Sequence, residues 1–206
     1  YVSLLAIASF ITGVSQNAGL WLSWIAGMIC VAIAPLLLRE WDLFSTPGAV
    51  VAMVGIGFSP LTGALSREVG GVIWALAFGL IAVWLLLLAG TIRRTRPGSK
   101  KPRWIAFASG IGFGIGFTCH YNLLPLILAA LTADWMRERT HLSEETKEEA
   151  MSPPRALWKT WGARALWVTG GGMAVFVVVQ ASTMLAQARI QSIYPEYKNY
   201  LSELIE

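Results

Sequence analysis

The chain alternates between long apolar runs and short polar breaks, and several runs have the length of membrane helices. Crossing the hydrocarbon core as an upright helix takes roughly 20 residues. The runs that come close to this length are 18–38, 70–92 and 165–186, and a shorter run at 49–65 is interpreted as a further span. Residues 1–14 are apolar but too short to cross upright, so we expect them to lie along the membrane surface.

The run 104–135 differs from the others because a polar sequence interrupts it halfway. Residues 118–122, TCHYN, divide it into two apolar arms. Each arm has about 14 residues, fewer than the roughly 20 that an untilted span needs. We therefore expect the polar apex between the arms to contact protein or water rather than lipid. This makes the apex a candidate site.

The first arm contains four glycines at alternate positions. Gly110 and Gly114 are one helical turn apart, as are Gly112 and Gly116, and at about 100° per residue the two pairs lie on nearly opposite faces. Small residues let helices approach closely, so this arm is predicted to pack between two neighbours. A phosphate-binding loop is the other interpretation of alternating glycines, but no strand pattern precedes them. Close packing is the interpretation we adopt.

Composition indicates a polytopic membrane protein and excludes a soluble globule. Of 206 residues, 55% are hydrophobic and 14% charged, and the mean hydropathy is +0.58. The cysteines, Cys30 and Cys119, lie in apolar runs without disulfide or zinc-site spacing, so we expect neither a metal nor a cofactor. The predicted fold is all-α, a single transmembrane domain over 1–206 with about six spanning or half-spanning helices besides the N-terminal surface helix.

The basic residues predict the orientation of the chain. The segment 93–103 has six Lys or Arg and no acid, and the segment 136–164 has six more. Positive residues concentrate on the cytoplasmic side, so both segments are predicted to be cytoplasmic loops, with Arg67, Glu68 and the tail 187–206 outside. The net charge of +4 thus concerns topology, and no nucleic-acid partner is expected. Anionic lipid could bind segment 93–103, although orientation alone explains its charge.

The order of the segments matches a known arrangement. Residues 4–40 are predicted to form a surface helix, a Gly-Xaa-Ser step and a span that ends in basic Arg39. Residues 47–88 form two spans with a Ser-Pro pair before an external Ser-Arg-Glu element, and residues 104–135 form a glycine-rich helix, a polar apex and a returning helix. Over residues 4–136 this resembles the GT-C superfamily of membrane glycosyltransferases. It is most similar to bacterial relatives of protein O-mannosyltransferases and lipid A aminoarabinose transferases.

The resemblance implies a transferase that takes sugar from a polyprenyl-phosphate carrier outside the cytoplasmic leaflet, in a bacterial cytoplasmic membrane. In this family an acidic residue at the external end of the third span lines the active site, and Glu68 has the matching position. The family's catalytic acid lies before the surface helix, so we expect this chain to be a fragment that lacks the first external loop. The alternative function is a non-catalytic subunit of a larger membrane complex.

Transfer from a lipid-linked sugar needs a carboxylate that deprotonates or orients the acceptor hydroxyl, and groups that hold the phosphate. Glu68 is the candidate catalytic residue, and the candidate substrate-binding residues are Arg67, His120, Tyr121 and Asn122. Each also has a structural interpretation: a solvated ion pair for Arg67 and Glu68, a backbone-bonded imidazole, and a helix cap from Tyr121 or Asn122. We expect Glu68 and His120 to face one external cavity, within about 15 Å of each other.

Overall fold

The computed structural model describes residues 16–40, 71–96, 98–145 and 157–193, and these ranges contain helices and no strand. The helices are α1 (Gln16–Glu40), α2 (Gly71–Thr95), α3 (Lys101–Cys119), α4 (Leu124–Glu145) and α5 (Ala163–Ile193). A 3₁₀ turn, Tyr121–Leu123, leads into α4, and a π-helical turn, Trp158–Gly162, leads into α5. The prediction of an all-α membrane protein is confirmed.

Three helical segments are long and apolar enough to cross a membrane: Gly19–Glu40, Gly71–Thr95 and Trp158–Ala186. They correspond to three of the predicted spans. The predicted span 49–65 and the predicted surface helix 1–14 lie outside the described residues.

The helices extend into segments that the hydropathy pattern assigned to loops. α3 and α4 have 19 and 22 residues, so both are longer than the apolar arms. α4 continues to Glu145, and Trp158–Gly162 is already helical, although both lie in the segment 136–164 that was predicted as a loop. Glu138 and Arg164, both within the segment 136–164, form an ion pair between helices. Hydropathy alone does not detect such pairing.

α2 is the central helix of the described bundle. Within its most apolar stretch 56% is buried, against 22% for α1 and 11% for the last span. Leu86 and Leu87 of α2 are each only 1% exposed. They belong to one cluster with residues from α3, the 3₁₀ turn, α4 and α5: Ala106, Phe113, Leu123, Ala130 and Val168. A smaller cluster joins α1 to α2 through Ala26 and Cys30.

The directions in which the helices run show which end of the bundle each polar segment occupies. Thr91 donates a hydrogen bond to the Glu40 carboxylate at 3.0 Å, so the last residues of α1 and α2 meet at one end of the bundle. The same end contains the segment 93–103, and we call it the basic end. The turn between α3 and α4, residues 119–123, lies at the opposite end, which we call the apex end.

One glycine face of α3 contacts α2. A Cβ atom at Gly112 would lie 3.1 Å from the Ala82 Cβ, and one at Gly116 would lie 3.1 Å from the Ala75 carbonyl oxygen. The buried Ser109 hydroxyl donates to the Ala82 carbonyl at 2.7 Å along the same contact. Small residues therefore bring these antiparallel helices close together.

The other glycine face of α3 contacts α5. A Cβ at Gly110 would overlap the backbone carbonyl of Val168, and one at Gly114 would lie 2.8 Å from the Val175 Cβ. The prediction that the two glycine pairs pack against two different neighbours is thus confirmed. α3 lies between α2 and α5 at separations that larger side chains would prevent.

Candidate functional site

The apex turn is closed by hydrogen bonds between backbone atoms. α3 ends at Cys119, and His120 has an extended backbone with φ −159° and ψ 122°. The His120 N–H donates to the Gly116 carbonyl at 3.0 Å, and the Leu123 N–H donates to the His120 carbonyl at 3.2 Å. Because these bonds involve the backbone, the turn does not need a particular side chain at positions 120 and 121.

His120 and Tyr121 form a stacked pair at the surface of this end. Their ring centroids are 5.0 Å apart, with planes inclined by 16°. His120 is half-buried, whereas Tyr121 is 72% exposed. The pair combines apolar ring surface with a phenol hydroxyl and imidazole nitrogens, which are groups that can hydrogen-bond to a sugar or a phosphate. The Asn122 side chain lies outside what the structure describes, so its predicted role stays a prediction.

Leu123 anchors the turn on the core. A Cβ at Gly79 of α2 would lie 2.7 Å from the Leu123 side chain, and a Cβ at Gly116 of α3 would lie 2.6 Å from it. Leu123 therefore fills the space that the two glycines leave open. Through this contact, the stacked rings are positioned beside the first half of α2. Pro125 follows within the first turn of α4, as expected, where its missing N–H has no partner to lose.

The described residues at the apex end contain no carboxylate. Every Asp and Glu in the described ranges lies in the last residue of α1 or in α4 from Asp134 onward, at the basic end. Glu68 and Arg67 lie outside the described residues, so the predicted cavity shared by Glu68 and His120 stays a prediction. Glu68 precedes the start of α2 by three residues.

Within the part of the chain that the structure describes, the buried charged residues form a cluster at the basic end, which the sequence pattern did not predict. The Arg164 Nη2 atom lies 3.1 Å from Asp134 Oδ2 and 2.9 Å from Glu138 Oε2. Arg164 Nε makes a further hydrogen bond of 3.3 Å to Asp134. The three residues are between 1% and 6% exposed. One cation of α5 is thus held between two carboxylates of α4.

Burial and charge act in opposite directions on Glu138, which lies beyond the apolar part of α4. Burial favours the neutral carboxyl group and raises its pKa, but the charges of Arg164 and Arg93 and the hydrogen bonds of Arg164 and Thr160 together outweigh burial. The Glu138 pKa therefore lies below its ordinary value, and the group is ionised near neutral pH. Asp134 and Glu138 share Arg164, so this cluster is an ion-pair clamp rather than an acid and base pair.

A signal for the clamp is present in the sequence. Asp134 and Glu138 are four residues apart, a spacing that places both on one face of a helix. Asp134 also directly follows an apolar run, where an ionisable residue usually has a specific partner. The partner could not be identified, because Arg164 is 26 residues beyond Glu138 and was assigned to a loop.

Further polar contacts connect α1 to the same end. Arg137 donates to the Glu40 backbone carbonyl at 2.7 Å, and Thr91 contacts the Glu40 carboxylate. Within the described ranges, no group of three or more His, Cys, Asp or Glu side chains is arranged to hold a metal ion. Arg164, Arg137 and Thr91 thus connect helices to one another at the basic end.

Comparison with known proteins identifies the family. The model of the dolichyl-phosphate-mannose-protein mannosyltransferase family matches residues 2–145. The match includes α1 to α4 and the apex turn, and it ends at the last residue of α4. Neither the curated proteins nor the solved structures contain a match to this chain. The chain therefore belongs to the dolichyl-phosphate-mannose-protein mannosyltransferase family, whose members are membrane glycosyltransferases of the GT-C type.

Proposed function

We propose that this chain forms part of a glycosyltransferase that takes its sugar from a polyprenyl-phosphate carrier, and that transfer occurs at the apex end. The observation that carries the proposal is the family match, because residues 2–145 contain every candidate site residue. The exposed ring of Tyr121 beside His120 supports the choice of end. Asp134 and Glu138 are not proposed as catalysts, because Arg164 engages both carboxylates.

Glu68 is proposed as the carboxylate that deprotonates or orients the acceptor hydroxyl. Three residues of chain reach at most about 11 Å, so Glu68 lies within that distance of Gly71 at the start of α2. The first half of α2 contacts the end of α3 where Ala75 meets Gly116. The length of the connecting chain therefore permits Glu68 to reach the surface that His120 and Tyr121 form.

The remaining candidates are proposed to bind the donor. Arg67 would hold the carrier phosphate, which a guanidinium can bind through two parallel hydrogen bonds. His120, Tyr121 and Asn122 would bind the sugar or the phosphate from the apex turn. The cations of segment 93–103 favour a cytoplasmic location for the basic end, which places the apex end outside. We assign the protein to the cytoplasmic membrane of a bacterium on the basis of the resemblance.

The second candidate function is a non-catalytic subunit of a membrane complex. The observation that favours it is the apolar surface of α5, where Val178, Met184 and Leu185 are 67%, 67% and 72% exposed. A neighbouring subunit would cover this surface, and so would lipid. The transfer reaction is therefore the property that separates the two functions.

The test is Glu68→Gln in the complete protein, assayed for transfer from a polyprenyl-phosphate-linked sugar in membranes. We expect at least about a 100-fold loss of kcat with unchanged folding, because a positioned base contributes at least that factor. Glu203→Gln makes the same charge change in the predicted external tail and is the matched control. Full transfer by Glu68→Gln would exclude a catalytic role for Glu68. Absence of transfer by the complete wild-type protein would favour the accessory subunit.

A further inference from the structure

The basic end contains a pocket of about 480 Å³ with cationic walls. It lies between the end of α2, the loop to α3 and the start of α5. Positive side chains reach it from all three: Arg93, Arg96, Lys100, Arg103, Lys159 and Arg164. Among the described residues that line the pocket, none is acidic. The pocket collects charges that are spread along more than 70 residues of sequence, from 93 to 164.

Protein groups balance only part of this charge. Arg164 pairs with Asp134 and Glu138, and Arg93 donates to a backbone carbonyl at 2.6 Å. The other four cations of the pocket have no carboxylate at ion-pair distance within the ranges that the structure describes. Glu138 and Asp134 attract the Arg93 guanidinium, whereas Arg164 and Arg103 repel it. An anion bound in the pocket would relieve the repulsion.

The start of α3 adds to the positive potential of the pocket. The N-terminus of a helix has a partial positive charge and is normally followed by acidic side chains. The first turn of α3 has no acidic residue and instead contains Lys101 and Arg103. Lys100, at the N-cap, makes no side-chain capping hydrogen bond. Both Lys100 and Arg103 line the pocket, so helix and side-chain charges favour the same anion.

An apolar groove adjoins the pocket along the start of α5. The groove has a volume of about 550 Å³ and shares Lys159 and Ala163 with the basic pocket. Its other lining is mostly apolar, and it includes Trp158 and Leu166, which are 66% and 74% exposed. A cationic pocket that continues into an apolar groove suits a molecule with a phosphate head and a hydrocarbon chain.

The geometry points to a binding site for an anionic phospholipid, with its phosphate ester in the basic pocket and an acyl chain along the apolar groove. The site lies at the opposite end from the proposed transfer reaction and does not depend on it. A general attraction between basic loops and an anionic membrane would act on every exposed cation. A pocket instead depends on the cations that line it. A comparison of Lys100 with Lys101 distinguishes a defined pocket from general attraction to the membrane, because both side chains are exposed and only Lys100 lines the pocket.

The experiment titrates the full chain, purified in detergent, with short-chain phosphatidic acid, and bound lipid is counted by native mass spectrometry. We expect Lys100→Gln to weaken binding about fivefold, since one cation near an anionic headgroup contributes roughly 1 kcal/mol. Lys100→Gln with Arg103→Gln should weaken it about 25-fold on the same basis. Lys101→Gln is the matched control and should change binding by less than about twofold. Equal losses for Lys100→Gln and Lys101→Gln would overturn the pocket.

Two further ligands test the chemical class. Phosphatidylcholine of the same chain length has no net charge, and inorganic phosphate has no hydrocarbon chain. We expect phosphatidic acid to bind at least about tenfold more tightly than either, because it alone combines full negative charge with an apolar chain. Equal binding of inorganic phosphate would overturn the lipid assignment in favour of a soluble phosphate. Equal binding of phosphatidylcholine would overturn the role of the negative charge.

Discussion

The two ends of the bundle differ in the interactions that connect their helices. At the basic end side chains link separate helices, through Arg164 to two carboxylates of α4 and through Thr91 to Glu40 of α1. At the apex end the α3–α4 turn is closed by backbone hydrogen bonds and anchored by Leu123 against glycines. Asp134, Glu138 and Arg164, the buried charged residues of the described ranges, therefore connect helices. The end with fewer side-chain links has the exposed aromatic pair.

A buried ion pair contributes more to the choice of one arrangement than to net stability. Moving charges out of water is costly, and a cation between two carboxylates regains that cost only at one relative position of the helices. α5 contacts α3 through glycine faces that provide few directional contacts. We infer that Arg164 determines how far α5 slides along the bundle, because Asp134 and Glu138 fix its guanidinium.

The largest expected effect comes from breaking the clamp. Arg164→Met leaves two buried carboxylates without a cation, which should reduce the free energy of unfolding by about 3–5 kcal/mol. Denaturant unfolding in mixed micelles measures it. Arg164→Met combined with Asp134→Asn and Glu138→Gln removes all three charges and should recover a large part of the loss. A loss below about 1 kcal/mol for Arg164→Met alone would show that the clamp is hydrated like a surface pair.

A smaller effect is expected from the glycine contact between α3 and α5. Gly110→Ala places a methyl group against the Val168 carbonyl, so the helices must separate, at a cost of about 1–3 kcal/mol. Gly170→Ala is the matched control, because its Cβ would have its nearest neighbour at 3.9 Å, an atom of the Phe107 ring. This control should be neutral or slightly stabilising, since alanine favours helix more than glycine. Equal effects of the two variants on unfolding would contradict the close contact.

The sequence predicted the glycine contact of α3 but not the Arg164 clamp. The glycine faces follow from spacing within one helix, so the residues themselves determine the geometry. The clamp joins α4 to α5 through residues 26 and 30 positions apart, and no local pattern encodes such a pairing. Counting Arg164 among the loop cations predicted that it lies on the cytoplasmic side of the membrane. It did not predict that the Arg164 side chain is buried.

The position of the apex turn could be predicted because it depends on local polarity, whereas the role of its residues as a site stays a prediction. The interruption at 118–122 placed His120 and Tyr121 in a turn between two helices, as the structure has them. The stacking of the two rings and the anchoring by Leu123 depend on packing against α2 and could not be derived from the pattern. The proximity of Glu68 to this turn is a contact between distant segments and stays a prediction.

The smallest effect on stability is expected at the apex end, from Tyr121→Ala. The side chain is 72% exposed, and its loss removes only the stacking on His120, which is about 0.5–1 kcal/mol for an aromatic pair. The backbone bonds of the turn remain, because they do not involve the phenol ring. Leu123→Ala in the same turn is the contrasting variant, since it opens a cavity in the core and should reduce the free energy of unfolding by at least about 2 kcal/mol.

Unfolding and sugar transfer are measured on both variants in the complete protein. If the apex end binds the donor, Tyr121→Ala should reduce transfer by a larger factor than its small loss of stability would cause. A Tyr121→Ala variant that unfolds as readily as Leu123→Ala would show instead that the exposed ring is part of the architecture, and the contrast between the two ends would then be wrong.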